Sequence, residues 1–164
     1  MDPAVDHGPI IGPIVATLSL HPTERALLAE ARRATLATVA PDGMPRLVPI
    51  CYAVHPEDAV LHVAIDDKPK RSSDPHRLAR VRDIVADPRV SVLVDRWDET
   101  WSRLAWLRCE GHASLLEPGT DDGDERTAAI AALRARYPAY AGHHLEAALL
   151  LRIEITRTSS WGDL

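Results

Sequence analysis

The sequence predicts a mainly β fold: an antiparallel barrel, closed or nearly so, with helices on its periphery. Three observations predict it. The chain has 164 residues, room for one domain and little more. Six short segments alternate polar and apolar side chains or run briefly apolar, as half-buried and buried strands do. Their connections are tight turns and single helices without a regular strand–helix–strand repeat, which argues against a parallel doubly wound sheet.

Met1 to about Leu20 has repeated Pro and Gly breaks and no period, so residues 1–20 are read as an N-terminal arm and residues 21–164 as the domain. His21-Pro22-Thr23-Glu24 starts a helix, with Pro in the first turn and an acid behind it, ending near Arg33. Thr35–Val39 reads as the first strand, Pro41-Asp42-Gly43 as a turn, and Arg46–Val54 as the returning strand. Pro49 has no N–H to donate, so that strand belongs at an edge or a bulge. Ala59–Ile65 follows as a third strand, which completes an expected antiparallel meander. Asp74-Pro75 opens a second helix with Leu78, Val81, Ile84 and Val85 on one face, and Asp87-Pro88 stops it. Arg89–Val94 is a fourth strand, and Trp101–Leu116 a long fifth one with a bulge expected at Gly111. An acidic loop, a helix over Ala128–Arg136 and a last strand over Ala148–Thr156 complete the chain, with Trp161 in the tail.

The formal net charge of −5 argues against nucleic-acid binding or an anionic membrane surface as the protein's main role. No apolar run is long enough for a membrane span, and the acidic start does not read as a signal peptide. Cys51 and Cys109 stand alone, as in a reduced cytoplasmic chain. Common nucleotide-hydrolase, dinucleotide-binding and serine-hydrolase glycine motifs are absent from the sequence. His143-His144 would point about 100° apart on a helix and has no complementary ligands, so no metal is expected. Asp121 to Glu125 lacks the spacing of a calcium loop and reads as a solvated helix start.

Two local features are candidates for function. Asp67-Lys68-Pro69-Lys70-Arg71 places three cations between a strand and a helix start, with Ser72 and Ser73 next to them. Such a loop offers a phosphate several charge-assisted hydrogen bonds, and equally it reads as a solvated basic turn. The second feature is Trp97, Trp101 and Trp106, in a chain with no Phe. These rings would stack on a planar ligand, line a subunit interface, or simply fill the core.

Together these segments resemble the pyridoxamine 5'-phosphate oxidase-like split barrels. Leu36-Ala37-Thr38-Val39, Asp42-Gly43 and Pro45 to Pro49 resemble the family's opening hairpin. The basic loop, Asp87-Pro88-Arg89-Val90, Leu93-Val94-Asp95 and the spacing Asp98, Trp101, Leu104, Trp106, Arg108, Gly111 resemble its coenzyme F420-dependent branch. The resemblance implies a six-stranded antiparallel split β-barrel of the FMN-binding type. It implies Arg46, Val48, Pro49 and Ile50 facing the ring or tail of the cofactor, and Lys68, Lys70 and Arg71 holding its phosphate. It further implies a homodimer with cofactor sites at the interface, to which Trp101 and its strand contribute. The expected function is hydride transfer between F420 and a small organic molecule. FMN in place of F420, and a carrier or sensor without turnover, are the alternatives. No catalytic acid or base is assigned.

Overall fold

The computed structural model describes residues 18–55, 57–65, 74–120 and 123–164. Seven strands form one antiparallel sheet: β1 (Ala34–Val39), β2 (Pro45–Ile50), β3 (Ala53–Val54), β4 (Val60–Ile65), β5 (Arg89–Arg96), β6 (Ala105–Leu116) and β7 (Leu149–Gly162). Helices α1 (Pro22–Glu30), α2 (Ala79–Ala86) and α3 (Gly123–Arg136) pack around it. The strand order is β2-β1-β5-β6-β7-β4-β3. The two edge strands, β2 and β3, are consecutive in the chain, with only Cys51 and Tyr52 between them. Three residue steps span at most roughly 11 Å, so the two edges must approach each other. The sheet therefore curls into a split half-barrel.

The expected fold class holds, with seven strands in place of six. The predicted second strand, Arg46–Val54, is the one that divides. Its first part pairs with β1 from Pro45↔Val39 to Ile50↔Ala34, and its last two residues pair with β4. Between them the backbone of Tyr52 leaves the ladder. Its N–H donates to the Tyr137 hydroxyl at 3.1 Å, and that hydroxyl donates to its carbonyl at 3.0 Å. The expected three-strand meander is thus two hairpins on opposite edges of the sheet. Pro49 lies on an edge strand, as its missing donor requires.

One core fills the barrel interior with aliphatic side chains from every long strand, among them Leu36, Leu61, Val92, Leu107, Leu151 and Ile153. Leu27 and Leu28 of α1 and Val81 and Ile84 of α2 join it. A second cluster lies under α3, where Ile130 and Leu133 pack with Leu116, Leu145 and Leu150. There Arg126 is buried and its guanidinium donates to the carbonyls of Leu116, Leu145, Glu146 and Ala148. The opposite outer face, on β2, β1 and β5, is uncovered by any described element, and Leu47 and Leu93 stand exposed on it.

Several element boundaries differ from expectation for local reasons. Helix α1 ends at Glu30, short of Arg33, because the Arg136 guanidinium takes the carbonyls of Leu28, Ala29 and Ala31. The second helix is preceded by a 3-10 turn over Pro75–Arg77, capped by Asp74 accepting from the His76 N–H at 2.9 Å. Val85 is exposed and leaves the expected apolar face. Helix α3 begins at Gly123, and β7 runs on to Gly162, so Trp161 is a strand residue directly opposite Trp106. Trp101 is not in a strand: it opens a 3-10 turn, Trp101–Arg103, and β6 begins only at Ala105. The bulge falls between Glu110 and Gly111, with the extra residue, Thr156, on β7. Trp97, Trp101 and Trp161 are exposed and Trp106 half-buried, so the tryptophans do not fill the core. Leu, Ile and Val occupy that space instead.

Candidate cofactor site

The split between the two edge strands opens toward one end of the barrel. At one end the chain crosses from β2 to β3 through Cys51 and Tyr52, which holds the edges together. Toward the other end β3 stops after two residues, and β4 continues alone from Val63 to Ile65 on that side. Strands β1, β4 and β6 finish at this open end, and β2, β5 and β7 start there. One lip of the split is the start of β2, with Arg46 and Val48. The other is the end of β4, directly before residues 66–73 in the chain. Lys68, Lys70 and Arg71 lie outside the described residues.

Alternation along β2 separates its four predicted site residues. Arg46, Val48 and Ile50 share the inward face, and Pro49 points to the outer one. Ile50 is buried in the main core, Val48 packs against that core while half-buried, and Pro49 is exposed. Arg46 keeps 45 % of its side chain accessible. Trp101 sits with Trp97, Trp106 and Trp161 at the opposite end of β5, β6 and β7. The described residues therefore keep Arg46 and Val48 together at the lip and set Trp101 apart from them within one chain.

Two residues that sequence reasoning did not select complete the lip. Asp83, on α2, is 1 % exposed and accepts from Arg46 Nη1 through Oδ1 at 2.9 Å. Its other oxygen accepts from the Thr38 hydroxyl at 2.9 Å. A buried carboxylate needs such partners, since an unpaired buried charge is very costly. The signal was present in each element. Asp83 lies between Val81 and Ile84 on the buried side of α2, and Thr38 takes an inward position in register with Ala34 and Leu36.

Outside the lip, a groove of about 510 Å³ crosses β1, β5, β6 and β7 on the uncovered outer face. Its walls carry Arg89, Glu110, His112 and Arg157 around Pro45 and Gly111. The charges are largely paired: Arg89 clasps Asp87, and both Arg108 and Arg157 hold Glu110. The hydrogen bonds from Arg89 hold the Asp87 carboxyl down at about 2, so this pair stays ionised at any ordinary pH. Under α3, His62 is buried and meets Glu125 at 2.8 Å, and Glu125 also accepts from Arg152 at 3.0 Å. Burial pushes the His62 imidazole below its ordinary value, against the opposing pull of Glu125. Burial alone would raise the Glu125 carboxyl, but His62 and Arg152 outweigh it and hold it low. A neutral His62 donating to an ionised Glu125 follows. This network ties α3 to β4 and β7 and lies away from the split.

Among the described residues no three His, Cys, Asp or Glu side chains gather as a metal cradle. No described helix is long and apolar enough to cross a membrane.

A family model described as pyridoxamine 5'-phosphate oxidase matches residues 20–162. Among solved structures, the chain is similar to the conserved hypothetical protein Rv2991 of Mycobacterium tuberculosis. The identity there is 24 %, over 90 % of this chain and 88 % of that one, with a TM-score of 0.67. It is similar to a FAD-binding protein of Mesorhizobium loti at 26 % identity, over 83 % of this chain and 87 % of that one, with a TM-score of 0.58. It is also similar to HutZ, a heme storage protein of Vibrio cholerae, at 17 % identity, over 88 % and 95 % of the two chains, with a TM-score of 0.63.

Proposed function

Since the chain belongs to the pyridoxamine 5'-phosphate oxidase family, its match spanning residues 20–162, we propose that it is a homodimeric, cytoplasmic oxidoreductase that binds coenzyme F420 and transfers hydride to or from a small organic substrate. The observation that carries this reading is the half-exposed Arg46 guanidinium on the β2 lip of the split, held from behind by Asp83. The other lip is the end of β4 at Ile65, and Lys68, Lys70 and Arg71 follow it in the sequence. Arg46 beside the split, together with the cations that follow β4 in the sequence, would suit a cofactor with several anionic groups, as the F420 tail has. The apolar edge of Val48 suits a planar ring. The exposed Leu47 and Leu93 on the uncovered face support association of two copies there.

When bound, the cofactor supplies the hydride chemistry. The protein's residues orient it and neutralise its charge. Arg46, Lys68, Lys70 and Arg71 would hold its anionic groups by charge-assisted hydrogen bonds. Val48, on the inward face of β2, would lie against the ring, and Trp101 of a second copy would approach the site across the interface. No side chain is assigned as proton donor.

FMN is the second reading, favoured by the likeness to a FAD-binding protein at 26 % identity. Titration of the purified protein with F420 and with FMN, followed by absorbance and fluorescence, separates the two. F420 binding is expected, weakened at least tenfold by Lys70→Ala/Arg71→Ala, since each charged hydrogen bond contributes roughly 1.5–3 kcal/mol. FMN binding without F420 binding would move the protein to the second reading. Binding of neither would overturn both.

A further inference from the structure

We propose that Asp83 is a positioning residue for the cofactor: through Arg46 it aims one guanidinium edge at an oxyanion, phosphate or carboxylate, in the split. The inference rests on the cofactor reading above and extends it to a residue that never touches the ligand. Asp83 is fixed at both oxygens, by Thr38 Oγ1 and by Arg46 Nη1, each at 2.9 Å. It comes from the buried side of α2, so the anchor is set by the core and not by a mobile surface side chain.

The geometry of the contact decides which part of Arg46 remains available. Only Nη1 is bonded to Asp83, and neither Nε nor Nη2 has a partner among the described residues. Nε and Nη2 form one straight edge of the planar guanidinium. That edge is the fork that grips a carboxylate or phosphate with two parallel hydrogen bonds. Half of the Arg46 side chain remains accessible while the carboxylate behind it is 1 % exposed. A lone surface arginine would lose its rotamer freedom when it bound an anion. Asp83 removes that freedom beforehand, which is how preorganisation raises affinity. The bland alternative is a tie between α2 and the β1–β2 hairpin, with no consequence for ligand binding.

Cofactor dissociation constants and melting temperatures of wild type, Arg46→Ala, Arg46→Lys, Asp83→Asn and the double variant Arg46→Ala/Asp83→Asn separate these roles. Asp83→Asn preserves shape and a hydrogen bond to Thr38. It is expected to weaken binding at least fivefold in a protein that still melts cooperatively. The double variant should bind no more weakly than Arg46→Ala alone, because Asp83 acts only through Arg46. Arg46→Lys, which keeps the charge and loses the fork, should stay well below wild type. Should Asp83→Asn fail to fold, Thr38→Val provides the same test by loosening one anchor of the carboxylate. A weak Arg46→Ala beside wild-type binding in Asp83→Asn, or in Thr38→Val where that variant stands in, would overturn the proposal and leave the cofactor reading standing. So would additive losses in the double variant, or full affinity in Arg46→Lys. If the wild type binds neither F420 nor FMN, the cofactor reading itself falls and this inference with it.

Discussion

Gly111→Ala is the substitution for which the structure yields the most definite cost. A Cβ built on Gly111 would lie 1.9 Å from the carbonyl oxygen of Glu154 and 2.9 Å from its carbonyl carbon. An ordinary C···O contact is about 3.3 Å, so β6 and β7 would have to part locally by about 1.4 Å. Both obstructing atoms are backbone, so no side-chain rotation relieves the clash. The strands pair over almost their whole length, and the bulge beside Gly111 already breaks the register there. Parting them removes about two ladder hydrogen bonds at about 1 kcal/mol each, and leaves part of their donors and acceptors unsatisfied, for a total near 3 kcal/mol. For a chain of this size that lowers the melting temperature by roughly 6–12 °C. Thermal denaturation followed by circular dichroism measures it directly, with Gly123→Ala as the control, since a Cβ there meets nothing within 4 Å. A Gly111→Ala melting point equal to that of wild type would refute the reasoning, because it would mean that the two longest strands separate at no cost.

The buried His62 makes stability depend on pH in a stated direction. Its folded value is depressed below the ordinary 6.5, so the unfolded chain takes up that proton first. The contribution is complete above the unfolded value and is lost as the pH falls below it. Denaturant midpoints are therefore expected to fall between about pH 7 and pH 5 in wild type and to fall less in His62→Gln, with equal slopes counting against the assignment. The two thiols should differ sharply. Burial pushes the Cys109 thiol up to about 12, while Cys51 is only half-buried. Iodoacetamide at mild alkaline pH, read by mass spectrometry, should modify Cys51 in the folded protein and Cys109 only after denaturation.

Much of the β architecture was legible because it follows from local pattern. Thr35–Val39, Ala59–Ile65 and Arg89–Val94 alternate or run apolar over strand length, and each is a strand within one or two residues. The Asp42-Gly43 turn is equally local: Gly43 adopts a φ of +83°, which glycine accepts without strain. The tryptophans were harder to place. In a chain without Phe they read equally as core filling, ligand stacking or interface residues; a core rich in Leu, Ile and Val leaves no need for them, and three stand exposed at one end of the sheet.

The candidate site divides in the same way. The sequence by itself determined the fold class, the hairpin that carries Arg46, and a basic segment directly after β4. The hairpin and the basic segment depend on residue order over a dozen positions at most, and the fold class on the succession of such local patterns. Only the tertiary structure decided that the strand begun at Pro45 crosses from one edge of the sheet to the other at Tyr52, because Tyr137, 85 residues away, takes that backbone out of the ladder. Only it brought Asp83, 37 residues from Arg46 and 45 from Thr38, into contact with both. Partner choice across such separations is settled by which groups the curled sheet buries together. A buried carboxylate accepts whatever donors the packed core leaves within reach, and no local pattern records which ones those are.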